Sequence, residues 1–351
     1  MDGEKQIMKL LLVNLGGLGD IVMMSSLLGR LKSEFDEIHL LAIKRSEELA
    51  KNYAEIDKFH TIDEKYYIPS NFFSALKTFH ILKKKRFDYL INLRDISSFG
   101  GELKIKFMVK MIRPIKSVGR SVLGYGKFYD IFYEEELLAD KNEVELTFRL
   151  LEPLGIKGNP EYIRFPVKNK DRNKIFQWLK LFNAGNRIKI SLNPGAFRES
   201  RRWPISHWKE LIRLINEKYS EAEIFINGNK KEMEAAKSLK ISKNVHMTHG
   251  LFSMSELAAL FSYMDVSVSN DSGLMHLAAA AGSKIVAVFS GWDEIPKYLP
   301  YINPSAYRIA TNQNLNLKCK KPCYKNKCPN PICLINIEPE YVFGFIEEFL
   351  K

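Results

Sequence analysis

Residues 9–32 read KLLLVNLGGLGDIVMMSSLLGRLK, and this stretch decides the fold. Lys9–Asn14 is a short apolar run of the kind that forms a strand buried on both faces. Leu15–Asp20 is a glycine turn, Ile21–Lys32 carries apolar residues at helical spacing, and Glu37–Ile43 returns to strand. This is the grammar of a βαβ unit, and it continues outward. The helical, basic stretch Ala75–Arg86 precedes Asp88–Leu93 (DYLINL), an apolar strand, and Ser117–Gly119 is a short strand beyond a second basic stretch. The pattern then restarts: Arg187–Asn193, Glu223–Asn227, Val266–Ser269 and Lys284–Phe289 read as strands, with Ile205–Lys218, Met254–Tyr263 and Gly273–Ala281 as the helices between them. Alternation of this kind predicts an α/β fold with parallel sheets flanked by helices. The polar segment Pro166–Lys174 separates the halves, giving an expected first domain over 1–168 and a second over 169–336, with Glu340–Leu350 an amphipathic helix in a terminal segment, 337–351. Two doubly wound domains in tandem are expected to bind ligands at the carboxyl ends of their strands. No repeat with a period of 20–50 residues is visible.

The 351 residues suffice for about two domains. Hydrophobic residues at 46% and charged residues at 27% exclude disordered and low-complexity classes. Lys and Arg exceed Asp and Glu by 53 to 41, a net +12, which favours an anionic partner: nucleic acid, acidic lipid or a phosphorylated substrate. The apolar run Leu10–Val13 is too short for a signal-peptide core and no small-x-small cleavage site follows, so no signal peptide is expected. The longest apolar stretch, Leu277–Ser290, is interrupted by Lys284 and falls short of the roughly 18 residues of a membrane span. The expectation is a cytoplasmic protein that at most touches a membrane. All four cysteines, Cys319, Cys323, Cys328 and Cys333, lie within 15 residues, and in that compartment a metal site or free thiols are favoured over disulfides.

Four local patterns carry chemistry. The first is the turn with Gly16, Gly17 and Gly19 ahead of Asp20. It lets backbone approach a ligand and presents helix amides to an anion, yet it lacks both the Gly-Lys-Ser/Thr of a Walker loop and the third glycine of a dinucleotide fingerprint. Asp20 either caps its helix or serves as a catalytic carboxylate. The second is Asn193-Pro194-Gly195-Ala196 followed by Arg201-Arg202-Trp203-Pro204, which suits clamping a phosphate or is a solvated arginine pair beside a packing tryptophan. The third is Ser269-Asn270-Asp271-Ser272-Gly273 with His276 one turn on: a pocket floor at a helix start, or only a cap and a core histidine. The fourth is the spacing C-x3-C-x4-C-x4-C, which lacks the C-x2-C pairs of a zinc ribbon and leaves a structural metal and reduced thiols both open.

Between Glu102 and Arg120, Lys104, Lys106, Lys110, Arg113, Lys116 and Arg120 interleave with apolar residues, and Glu102 is the sole acid. The stretch reads either as a basic amphipathic surface for an anionic membrane and acidic acceptor, or as an ordinary solvated helix.

In this order and spacing, residues 9–32, FDYLINL, ISLNPGAFRESRRWP, INGNKKE, the segment SMSELAALFSYMDVSVSNDSGLMHLAAAAGSKIVAVFS and the terminal CKKPCYKNKCPNPICLINIEPEYV resemble glycosyltransferase family 9, the ADP-heptose:lipopolysaccharide heptosyltransferases and close relatives. The resemblance runs from Lys9 to Val342. It implies a GT-B architecture, two Rossmann-like domains facing across a cleft, with the acceptor on the first, the nucleotide-sugar on the second and the final helix crossing back toward the first. It also implies inverting transfer of a heptose, the sugar most members carry, from ADP-heptose to a hydroxyl of the lipopolysaccharide inner core. No cofactor is required for that catalysis, while the cysteine loop could hold a structural zinc or iron.

By position, the resemblance makes Asp20 the base on an acceptor-side loop of Gly16, Gly17 and Gly19. It makes Arg201 the phosphate-binding cation in place of the usual lysine. Asp271, Ser272 and Gly273 become the turn at the donor's diphosphate, with His276 beside it, Glu232 the acceptor for ribose hydroxyls, and Phe252 and Met254 the adenine seat. The implied partners are ADP-heptose, an anionic lipid-linked core oligosaccharide and the inner face of the cytoplasmic membrane. Transfer of heptose to a protein, or of another sugar by the same fold, are the nearest alternatives. A basic nucleic-acid-binding protein is a distant one, since no DNA or RNA motif accompanies the charge and no nucleic acid is expected.

Overall fold

The computed structural model describes residues 7–135, 141–182, 184–290, 295–312 and 326–351. The chain divides into two compact units, Met1–Glu161 and Tyr162–Lys351. The first holds β1 (Lys9–Asn14), β2 (Glu37–Ile43), β3 (Lys58–Ile62), β4 (Tyr89–Asn92), β5 (Lys116–Val122) and β6 (Ile131–Glu135) in the spatial order 3-2-1-4-5-6. The second holds β7 (Lys189–Asn193), β8 (Glu223–Ile226), β9 (Val245–Met247), β10 (Val266–Asn270), β11 (Lys284–Val288) and β12 (Tyr307–Ala310), ordered 9-8-7-10-11-12. Renumbered within its unit this is again 3-2-1-4-5-6, and every strand pair in both sheets is parallel. Each sheet is therefore doubly wound. Its order reverses beside its first strand, between β1 and β4 and between β7 and β10, and a crevice opens there at the carboxyl ends.

Helices on both sheet faces explain why the inner strands are apolar without alternation. Leu10, Leu11, Leu12 and Val13 are all fully buried, with Leu10 level with Ile38 on one side and Tyr89 on the other. In the second unit Ile190, Leu192, Trp203, Trp208, Val268 and Val286 share one apolar cluster.

Most expected elements lie within one to four residues of their observed ends; the Pro69–Lys83 helix starts six residues before the expected Ala75. The expected helix Ile21–Lys32 is instead two helices, Leu18–Met23 and Ser25–Glu34. The Ser26 hydroxyl donates to the Met23 carbonyl at 2.7 Å, and the Leu27 amide bonds Met24 rather than Met23, so a side chain takes the bond that would have continued the first helix. The division at 161/162 falls seven residues before the expected 168/169. Ile163 and Phe165 hydrogen-bond to Tyr301 and Ala280, which ties this connecting stretch to the second unit. The terminal helix, Pro339–Leu350, also belongs to that unit: Val342, Ile346 and Phe349 join its core, and Glu347 pairs with Lys218 on the Ile205–Lys218 helix at 2.8 Å. Among the described residues, no helix is long and apolar enough to cross a membrane.

Candidate functional site

In the first unit, the turn after β1 and the turn after β4 meet at the switch point. Asp20 is the third residue of the Leu18–Met23 helix, and its Oδ2 accepts the Gly17 amide at 2.6 Å. Its Oδ1 accepts from the Arg94 guanidinium, which arrives from the end of β4. Asn14, at the end of β1, completes the frame: its Nδ2 donates to the Asp20 carbonyl at 3.0 Å and its Oδ1 accepts the Gly16 amide at 3.2 Å. A Cβ on Gly16 would lie 2.3 Å from Asp20 Oδ2, so this position admits glycine alone without moving the carboxylate. A small depression opens beside Asp20, with Asn14, Met24, Arg94 and Glu143 in its wall.

Arg120 does not lie on a basic surface, as the charge run suggested. It sits on β5, is fully buried, and bonds Glu143 and, at 3.1 Å, Glu135, with a further bond to the Leu93 carbonyl at 3.2 Å. Burial alone would push its pKa down; the two carboxylates outweigh burial and hold it above the ordinary arginine value. The correction has a simple cause: the run crosses from a helix into a buried parallel strand, and there a cation has to be paired.

The rest of the run stays outside. Lys106, Lys110, Arg113 and Lys116 are exposed, while Lys104 is half-buried with its Nζ 3.4 Å from the centre of the Tyr67 ring. On the same helix, Phe99–Ile112, Phe99 (64%), Leu103 (51%) and Phe107 (38%) form an exposed stripe four residues apart, and Phe73 on the Pro69–Lys83 helix is 78% exposed.

In the second unit, the crevice is lined by the turns after β7, β8, β9 and β10. Arg201, on the β7 turn, pairs with Asp271, on the β10 turn, at 2.6 Å. Asn270 braces these two turns: it donates to the Pro194 carbonyl at 2.7 Å and accepts the Trp203 amide at 3.1 Å. Trp203 in turn donates its indole N–H to the Ile337 carbonyl at 2.9 Å. Ser272 is the N-cap of the Gly273–Ala280 helix, and its hydroxyl makes no cap bond to the first-turn amides. His276 is buried one turn farther along. The Glu232 carboxylate accepts the Asn229 amide at 2.9 Å, lies 3.8 Å from Arg202, and would sit 2.5 Å from a Cβ placed on Gly195. Beneath these turns Asn227 donates to Ser191 at 2.8 Å and to Asn193 at 3.1 Å, and accepts from Thr248.

Arg201, Glu232, Asp271, Ser272 and Gly273 are thus carried on turns at the carboxyl ends of one sheet's strands. Phe252 has a packing role, its ring centred 5.0 Å from that of Trp178, and Met254 is the first residue of a helix capped by Ser253. Cys319 and Cys323 lie outside the described residues. Cys328 and Cys333 are not in disulfides; Cys333 is buried in the apolar core, and no metal-holding group of His, Cys, Asp and Glu occurs among the described residues. Sequence reading missed Arg94, Asn270 and His249. An arginine directly after an apolar strand was the one available signal for Arg94, and Asn270 was in view only as part of a polar turn.

Solved structures share this fold. E. coli ADP-heptose lps heptosyltransferase II superposes with a TM-score of 0.75 at 20% identity, covering 98% of each chain. E. coli heptosyltransferase WaaC with ADP gives 0.70 at 18%, covering 97% of this chain and 100% of the other. The class these likenesses define is one of fold: two doubly wound α/β units in tandem. The model of glycosyltransferase family 9 (heptosyltransferase) matches residues 75–331, and the chain belongs to that family. Among curated relatives, lipopolysaccharide heptosyltransferase 1 of Campylobacter coli is 25% identical over 97% of this chain and 98% of its own length.

Proposed function

We propose that this enzyme moves a heptose from ADP-heptose to a hydroxyl of the lipopolysaccharide inner core, with inversion at the anomeric carbon. Relatives named for that activity align with the chain over nearly its whole length, and the observation that carries the donor half is the Arg201–Asp271 pair at the second switch point. Arg201 offers a planar cation to the diphosphate, where negative charge grows as the glycosidic bond breaks. The start of the Gly273–Ala280 helix, where the Ser272 side chain makes no cap bond, faces the same charge. Glu232 accepts from ribose hydroxyls. On the acceptor side Asp20 takes the proton of the attacking hydroxyl as its oxygen bonds to the anomeric carbon and ADP departs. Gly17 and Arg94 hold the carboxylate in one orientation for that task.

The acceptor is lipid-linked, and the Phe99–Leu103–Phe107 stripe with Lys106 and Lys110 beside it suits the interface of an anionic bilayer: apolar side chains enter, ammonium groups meet headgroup phosphates.

Calorimetry with ADP, UDP and GDP tests the donor reading. ADP is expected to bind selectively, and Arg201→Ala to weaken it about tenfold or more, the loss of one charged hydrogen bond. Equal binding of the three nucleotides, or an unchanged ADP affinity in the variant, would refute it.

A further inference from the structure

His249 follows β9 and Thr248 and is 5% exposed, and among the described residues neither ring nitrogen has a hydrogen-bond partner. A polar side chain buried in this way gives up its hydration for nothing unless something outside the chain completes it. Its surroundings are built. Thr248 is pinned to the Ile226 carbonyl at 3.2 Å and to Asn227, and Gly250 turns the chain away at φ +67°. A Cβ on Gly228 would lie 2.7 Å from His249 Nε2 and 3.1 Å from Glu232 Oε2, so imidazole and carboxylate border the same small space above that glycine.

We infer that His249 is a binding residue for the nucleotide's ribose, donating its ring N–H to a hydroxyl that donates to Glu232. The inference rests on the reading of Glu232 as the ribose carboxylate. A carboxylate only accepts, so a hydroxyl bound to it has used its hydrogen and still has lone pairs that a donor can meet. A neutral imidazole supplies the missing donor. Burial pushes the His249 pKa down from its ordinary value, which keeps the ring neutral at pH 7, with one N–H and one lone pair.

The test compares ADP with 2′,3′-dideoxy-ADP by calorimetry on wild type, His249→Phe, His249→Gln and Glu232→Gln. His249→Phe is expected to weaken ADP about tenfold and to leave dideoxy-ADP within about twofold, while His249→Gln, which keeps an N–H, retains most of the preference for ADP. Equal loss for both nucleotides would mark His249 as structural, and no loss would dismiss it; either result overturns the inference. If Glu232→Gln keeps the full preference for ADP, the reading of Glu232 itself fails and the inference falls with it. If only Glu232→Gln lowers that preference, the ribose site stands without His249. Should His249→Phe not fold, histidine-labelled wild type gives the answer by NMR: the His249 ring resonances shift with ADP and not with dideoxy-ADP, and absence of that shift refutes the inference.

Discussion

Asp20 has two partners that fix its direction, the Gly17 amide and the Arg94 guanidinium, and each is supplied by a turn at the same switch point. With the carboxylate so held, Asp20→Asn should fold and bind ADP normally but lose turnover by roughly 100-fold or more, because the amide keeps the shape and cannot take a proton. Normal turnover would remove Asp20 from the role of base. Gly16→Ala is a second check: the new methyl would stand 2.3 Å from the present position of Asp20 Oδ2, so turnover should fall while ADP affinity is kept. At this scale the sequence was legible in position: Asp20, Arg201 and Asp271 lie at the strand-to-helix junctions where their patterns put them, while their roles rest on the proposal. It misled at Arg120, because one-dimensional charge cannot show that β5 turns that side chain inward between Glu135 and Glu143. His249 left no trace at all; its significance lies in what does not touch it.

Among elements, the four strands that escaped sequence reading are β3, β6, β9 and β12, and these are the four sheet edges. Inner strands are covered on both faces and so carry unbroken apolar runs; the edges are only part-covered, as in the half-buried Lys58–Ile62. On that edge, His39 on β2 bonds Glu37 through Nε2 at 2.8 Å and His60 on β3 through its other nitrogen at 3.0 Å. Its hydrogen bond to His39, then that to Lys58, holds the Glu37 carboxyl at about 2, while burial, then His39, Lys85 and Lys58, pushes His60 down to about 4. An unfolded histidine binds its proton near pH 6.5, the folded His60 only near 4, so stability is full above 6.5 and is lost as pH falls toward 4. The wild-type melting temperature should therefore drop between pH 7 and pH 5, and His60→Gln should flatten that slope. An unaltered slope in the variant would show that the cluster does not couple to folding.

For the whole molecule, the net charge of +12 and the exposed Phe99, Leu103 and Phe107 together predict binding to vesicles with anionic lipid that weakens with salt. Replacing Phe99 and Leu103 by serine should lower vesicle binding severalfold in sedimentation and leave ADP affinity untouched; unchanged sedimentation would discard the bilayer as the partner of this face. No short-period repeat was visible in the sequence, yet the two units share one strand order and each closes its switch point with an arginine–aspartate pair. The polarity is exchanged: the acid comes from the first turn in one unit and from the fourth strand's turn in the other. In the second unit the cation proposed to meet a phosphate is paired with Asp271. A singly charged anion gains little by sharing Arg201 with a carboxylate that repels it, whereas a diphosphate brings enough charge and enough oxygens to recruit the guanidinium and the helix amides together. On the proposed donor reading, the Arg201–Asp271 pair is expected to favour a diphosphate over a singly charged anion before any sugar or base is read.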